Sequence, residues 1–326
     1  MNKIVISHEV PQSVKEQLAS AGTLTEAFTR EKLLKEIADA DAIHGNGGLK
    51  VDEELLAAAP KLKIIALSSV GYNNLNIEAM RRHKVLGTHT PGVLNDSVAD
   101  LTIGLMIAAS RRICELDRYM RAGRWNGREG QGLFGLEVSG KTLGIIGMGR
   151  IGQAIAKRAV CGMGMKVLYY NRHANLAAEK EYGARYVSKE ELMSQSDFVV
   201  IVTPLTEETR GMVGARELAR MKKTAVLINV ARGVVVDEAA LIQVLKERRI
   251  FAAGLDVYEK EPTDPDNELL TLDNVVHVPH IGTATEEVRE KMDLLAAENI
   301  IACLRGETAP TVVPELQSLR DMGKSV

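Results

Sequence analysis

The run TLGIIGMGRIGQAIAKRA at residues 142–159 joins a strand, LGII, to a helical stretch, IGQAIAKRA, through a loop holding Gly147, Gly149 and Gly152. Taken alone, G-x-G-x-x-G is a weak signal, since plain turns also gather glycines. Between a strand and a helix it gains meaning. The first glycine makes the tight turn, the second lets backbone approach a pyrophosphate, and the third packs helix against strand. The phosphate would rest on the helix N-terminus, where free N–H groups and the dipole favour negative charge. The stretch predicts a dinucleotide-binding βαβ unit.

Outward from this loop, short β-branched runs alternate with helical patterns along the chain. After TLGIIG (142–147) come KVLYY (166–170), DFVVIVTP (197–204), AVLINV (225–230), AAGLDV (252–257) and VVHVP (275–279). Six strands with intervening helices match a doubly wound, Rossmann fold. Before it stand KIVIS (3–7), DAIHG (41–45), KIIALSS (63–69) and the VLGTHT segment from Val85, with helix-like stretches at Thr29–Ala38 and Val51–Ala58. Continuous apolar strands alternating with helices imply parallel sheets covered on both faces, an α/β class of fold. One long pattern from Asn95 to Arg121 bridges the two sets. The helix expected over Thr285–Leu304, with Gly306 as C-cap, follows the second set and is expected to pack back on the first. The domains are therefore drawn as 1–98 with 286–326, and 99–285, with a ligand cleft expected between them.

Bulk properties narrow the function. The 326 residues suit two domains of about 150 each. With 45% apolar and 26% charged residues and a net charge of −2, nothing recommends a nucleic-acid or acidic-membrane partner. Cys114, Cys161 and Cys303 are far apart, so neither a disulfide framework nor a metal-ligand spacing is expected, and a reducing compartment is. MNKIVISHEVPQ lacks the features of a secretory signal. LTIGLMIAAS (101–110) is half the length needed to cross a bilayer and reads as a buried helix. A soluble cytoplasmic protein with no membrane partner is expected.

The strand after the glycine loop ends in Asn171, Arg172 and His173, with no carboxylate until Glu179. An acid there would accept hydrogen bonds from the adenosine ribose of NAD and repel a 2′-phosphate. A guanidinium grips that phosphate through charge-assisted bonds. NADP is therefore expected as the preferred cofactor, with NAD possible; the plain alternative is that Arg172 is a solvated surface residue.

Three further stretches lie at strand ends, where open α/β sheets place ligand contacts: INVARGVVVDE (228–238), GLDVYEKEP (254–262) and HVPHIGTAT (277–285). They supply a guanidinium, carboxylates and an imidazole, a set able to bind a small anion, polarise a carbonyl and move a proton. With these motifs in order, the chain resembles the D-isomer-specific 2-hydroxyacid dehydrogenases, in the glyoxylate, hydroxypyruvate and 2-ketogluconate reductase branch, over essentially its whole length. The resemblance implies a Rossmann cofactor domain inserted in a flavodoxin-like substrate domain. It implies Arg232, Glu261 and His280 as the catalytic three, and backbone N–H groups of Val70 and Gly71 in SSVGYNN as donors to the substrate carboxylate. The implied cofactor surface takes in Arg150 and Ile151 of the glycine loop, then Thr203, Pro204, Thr209, Val230, Ala231, Asp256 and Gly282. Asp256 is implied to meet the nicotinamide carboxamide.

The physical roles fit a small 2-oxo acid substrate. The hydride chemistry belongs to the cofactor. His280 is the expected proton donor in reduction, since an imidazole titrates near physiological pH. Glu261 would fix its tautomer and favour its charged form, and Arg232 would clamp the carboxylate. His277, three positions from His280, has no assigned role, and Glu259 is expected to be solvated. Formate dehydrogenases pair the histidine with glutamine, which Glu261 argues against. Phosphoglycerate dehydrogenases often carry an added regulatory domain, for which residues 281–326 leave no room. A non-catalytic dinucleotide-sensing scaffold and a dehydrogenase of another small acid such as D-lactate are the alternatives. Asn73, where aspartate is common, and the glycine-rich HGNGGLK (44–50) leave substrate size open. Trp125 in RAGRWNG lies in a segment that leads, in relatives, to a dimer-forming arm, so the resemblance implies a homodimer.

Overall fold

Runs of aliphatic residues too apolar to leave either face in water form two all-parallel sheets in this computed structural model, which describes residues 1–322. Each sheet belongs to its own unit: Met1–Leu94 with the chain from Ala284 onward, and Asn95–Thr283.

The first unit holds β1 (Asn2–Ile6), β2 (Gly22–Glu26), β3 (Ala42–Asn46), β4 (Ile64–Ser68) and β5 (Leu86–Thr88), in the order β2-β1-β3-β4-β5. This is the flavodoxin-like arrangement. Four of these strands are apparent in the sequence. The fifth, β2, reads GTLTE and lies half-exposed at the sheet edge, so it lacks the continuous apolar signature. Helix Glu286–Leu304, capped by the Thr285 hydroxyl on Val288 N–H, packs Ala296, Ala297 and Ile300 into this unit's core. It stops where Gly306, at φ 73°, turns its N–H onto the Cys303 carbonyl.

The second unit holds β6 (Thr142–Ile146), β7 (Lys166–Tyr170), β8 (Arg185–Tyr186), β9 (Phe198–Ile201), β10 (Val226–Asn229), β11 (Ala252–Leu255) and β12 (Val275–His277). Their order, β12-β11-β10-β9-β6-β7-β8, is the Rossmann order with a switch point between β6 and β9. The two-residue β8 is too short to leave a sequence pattern. The long pattern from Asn95 is two helices, Asn95–Ser110 and Ile113–Arg121. Arg112 breaks it in the left-handed region at φ 55°, its guanidinium held by Glu115 and by the carbonyls of Gly132 and Phe134. The first helix buries Ala99, Leu105, Met106 and Ala109 in the core beside β6, β10 and β11, which accounts for LTIGLMIAAS. Among the described residues no helix is long and apolar enough to cross a membrane.

Candidate active site

The glycine loop leaves the carboxyl end of β6 at the switch point, and each glycine is there for a different steric reason. Gly147 has φ 109°, and a Cβ on it would stand 2.8 Å from the Val202 carbonyl oxygen. A Cβ on Gly152 would stand 2.2 Å from the Gly147 carbonyl oxygen, so only glycine lets the helix pack this close to the turn. Gly149, the N-cap of helix Arg150–Met163, is different: a Cβ there would meet nothing within 4 Å. Gly149 therefore leaves open space beside a helix N-terminus, the kind of place where a phosphate group is favoured. Asn175 ties the segment after β7 to this loop through its Nδ2, 2.9 Å from the Met148 carbonyl.

Arg172 and His173 are exposed beyond β7. Glu179, the first carboxylate after them, accepts the Tyr169 hydroxyl at 2.6 Å and so is already engaged. Thr209 binds the Pro204 carbonyl at 2.7 Å and the Thr206 N–H at 2.8 Å, fastening the turn after β9. On that turn Glu208 is held below the usual carboxylate range, chiefly by Thr206 and in small part by the charge of Arg172.

The Arg232 turn follows β10 because Asn229 braces it. The buried Asn229 amide accepts from Ala231 N–H and donates to the Arg232 carbonyl, both at 3.1 Å. Gly233 is pressed on the next loop: a Cβ on it would lie 1.8 Å from the Tyr258 carbonyl carbon. That contact carries the half-buried Arg232 guanidinium into the neighbourhood of Glu261. Burial lowers the Arg232 pKa, and the Glu261 charge counters it. One Arg232 nitrogen, Nη1, donates to the Ala231 carbonyl at 2.7 Å; among the described residues the others make no ion pair or hydrogen bond.

Glu261 Oε1 accepts the Tyr258 N–H at 2.9 Å, and Oε2 lies 2.7 Å from His280 Nδ1. Burial pushes this carboxyl up. The His280 and Tyr258 hydrogen bonds outweigh it and hold the pKa below the ordinary value. Nε2 of the same ring points to no partner among the described residues. His280 has φ 53°, a conformation that costs on the order of 1 kcal/mol or more in a non-glycine residue and needs outside support. Asp256, 2% exposed, supplies it. Its carbonyl accepts His280 N–H at 2.9 Å, and its two carboxylate oxygens accept Ile281 N–H at 2.6 Å and Gly282 N–H at 3.0 Å. Burial raises the Asp256 pKa. His277, by contrast, sits against Tyr258 and takes no part in this cluster.

Sequence reasoning thus named Arg232, Glu261 and His280, and the fold gathers them on consecutive strand ends of one sheet. It missed Asn229 and the backbone work of Asp256. Both lie inside stretches already marked as informative, but a hydrogen bond to a neighbouring loop has no sequence signature.

Residues 103–282 match the family described as "D-isomer specific 2-hydroxyacid dehydrogenase, NAD binding domain". The chain belongs to this family, and is an NAD(P)-dependent oxidoreductase of the 2-hydroxyacid dehydrogenase kind. It is 44% identical over 320 residues to a glyoxylate/hydroxypyruvate reductase B of Serratia proteamaculans, covering 96% of this chain and 98% of that one. It is 46% identical over 320 residues to a glyoxylate reductase of Thermococcus litoralis, covering 95% and 96%. Among solved structures it resembles the NADPH-dependent glyoxylate/hydroxypyruvate reductase of Sinorhizobium meliloti in complex with NADP and malonate. That match has a TM-score of 0.83 and 31% identity, covering 97% of each chain.

Proposed function

We propose that this protein reduces glyoxylate, and hydroxypyruvate beside it, to the D-2-hydroxy acid, with NADPH preferred over NADH. The observation that carries the proposal is the 2.7 Å contact between His280 and Glu261 with the unspent guanidinium of Arg232 in the same field. The near-full-length relatives named for these activities support the substrate class.

The glycine loop, Asn171, Arg172, His173 and the turn from Thr203 to Thr209 would hold the dinucleotide, with Val230, Ala231 and Gly282 lining its nicotinamide end. Bound NADPH supplies the hydride. Val70 and Gly71 donate their N–H groups to the substrate carboxylate, and the free nitrogens of Arg232 grip the same group and oppose the charge that grows on the carbonyl oxygen. His280 gives that oxygen a proton from Nε2 while Glu261 holds the Nδ1 proton and steadies the ring's charge. Asp256 keeps the ring's backbone in its left-handed turn, and its remaining lone pairs are available to the nicotinamide carboxamide.

The same proposal includes pairing of two copies. Ile113, Met120, Trp125 and Phe134 are exposed, and helix Ile113–Arg121 buries none of its residues. The exposed apolar side chains of this segment suit a second chain. Three free cysteines agree with a reducing compartment such as the cytoplasm.

Loss of NADPH absorbance with glyoxylate, hydroxypyruvate or 2-ketogluconate tests the activity, and His280→Ala is its control. Turnover of one of these acids, lowered roughly 100- to 10,000-fold in the variant, is expected. Tight NADPH binding without turnover of any 2-oxo acid would instead favour a nucleotide-sensing scaffold.

A further inference from the structure

We propose that His8, His44 and Asp293 form a binding site for a divalent first-row transition metal, zinc or cobalt in kind, within the five-stranded unit. His8 lies just beyond β1, His44 lies in β3, and Asp293 projects from helix Glu286–Leu304. One donor atom of each stands within 4.8 Å of the other two.

The distances suit a metal. His8 Nε2 is 3.1 Å from Asp293 Oδ1, and His44 Nε2 is 3.9 Å from the same oxygen. Around a tetrahedral ion with bonds of about 2.0–2.2 Å, neighbouring donors stand roughly 3.3–3.6 Å apart. The measured separations bracket that range, and small ring rotations bring them into it. The Asp293 carbonyl oxygen, 3.0 Å from His44 Nε2, is a further oxygen at the same place. Two imidazoles and a carboxylate favour zinc, cobalt, nickel or copper; magnesium and calcium prefer sites made of oxygen alone.

The electrostatics point the same way. His44 is fully buried and Asp293 is 4% exposed. Among the described residues the ion-pair partners of Asp293 are these two rings, with no lysine or arginine. A carboxylate buried among imidazoles, with no lysine or arginine against it among the described residues, lacks full compensation, and a divalent cation provides it. Among the described residues the Nδ1 atoms of both rings have no hydrogen-bond partner. No second bond therefore locks either ring, and the ring proton can shift to Nδ1 when Nε2 binds metal. His8 retains 17% side-chain exposure, which leaves an entry side.

The expected effect of a metal here is on stability. His8 and His44 are 285 and 249 positions from Asp293, so a metal would clip the start of a discontinuous unit to its last long helix. That separation is why the ligand set has no sequence spacing to betray it.

The test uses the full chain stripped with a chelator, exchanged into metal-free buffer and titrated with Zn²⁺ or Co²⁺. Calorimetry should find one high-affinity site per chain at micromolar Kd or tighter, with the visible Co²⁺ absorption of a four-coordinate site. Zn²⁺ should raise the Tm by several degrees. Each signal should be lost in His8→Gln, whose partly exposed position leaves the fold intact by circular dichroism, and in Asp293→Asn. An absence of micromolar binding overturns the proposal. So does binding that persists unchanged in His8→Gln, which would put the metal elsewhere, for instance at the surface pair His83 and Glu53.

Discussion

His89 presents its Nδ1 atom 2.9 Å from the carbonyl oxygen of Val70. Thr90 N–H donates to the Ser69 carbonyl at 2.8 Å, and Ser69 Oγ donates to the Gly71 carbonyl at 2.8 Å. Three successive carbonyls of this loop are thus taken, while among the described residues nothing accepts the N–H of Val70 or Gly71. With its carbonyls fastened, the loop holds two amides ready for an anion. The Tyr72 ring stands edge-on to His89, with centroids 5.2 Å apart, and fixes the imidazole. His89→Ala should raise KM for the 2-oxo acid roughly tenfold, the effect of losing about one hydrogen bond's positioning. It should leave kcat and the Kd of NADPH near wild type. His89→Asn, which can still donate, should restore most of the loss. Steady-state kinetics on the three proteins decide it, and an unchanged KM in His89→Ala would remove the role.

The Glu261 carboxyl titrates below its ordinary range, so it remains an anion beside His280 across neutral and mildly acidic pH. That anion orients the His280 ring through Nδ1. Activity of the wild type should therefore persist on the acid side until Glu261 itself takes up a proton, below the ordinary carboxylate range. Glu261→Gln has no carboxyl to protonate, so its acid limb should lack this step while its activity is lower at every pH. Profiles of kcat/KM against pH in both directions measure this; superimposable curves for the two proteins would contradict it.

Much of this was legible because burial on both faces writes continuous apolar strands, as in IIALS of β4, which is buried throughout. Where the physics differs, so does the signal. β2 is an edge strand, and its GTLTE is fully buried only at Gly22. The break at Arg112 comes without glycine or proline, because side-chain bonds from its own guanidinium hold the left-handed turn. Arg232, Glu261 and His280 could be proposed as a catalytic set because the motifs that hold them carry the family resemblance. Their supports could not, since Asp256 acts by accepting backbone N–H groups 25 and 26 positions on.

Two glycines of the second unit should respond in opposite ways to one added methyl group. At Gly233 a Cβ meets the main chain of Tyr258 and Glu259 at 1.8 to 2.3 Å, and no flexible side chain is there to move. Gly233→Ala should cost about 3 kcal/mol or more and displace Arg232 from Glu261. At Gly149 φ is −82° and the space is open. Gly149→Ala should hold stability within about 1 kcal/mol of wild type, the difference between caps, yet raise KM for NADPH. Thermal unfolding alongside cofactor titration separates the two. A Gly149→Ala enzyme with wild-type KM for NADPH would mean that the pyrophosphate lies elsewhere.

The proposed preference for NADPH rests on Arg172. The nearest acid in sequence, Glu179, comes seven residues after Arg172 and accepts the Tyr169 hydroxyl at 2.6 Å through one of its oxygens. Arg172 is exposed at the end of β7 with its field reaching Glu208 across the turn. A 2′-phosphate entering here would meet a guanidinium free to swing onto it, and a charge-assisted pair of that kind is worth about 1.5–3 kcal/mol. Arg172→Ala should accordingly lower kcat/KM for NADPH roughly 10- to 100-fold while leaving that for NADH within about twofold. Higher salt should weaken NADPH binding to the wild type more than to the variant, because the contact is exposed and screened. A wild-type enzyme that favours NADH, or a variant that loses both cofactors equally, would show that Arg172 does not read the phosphate.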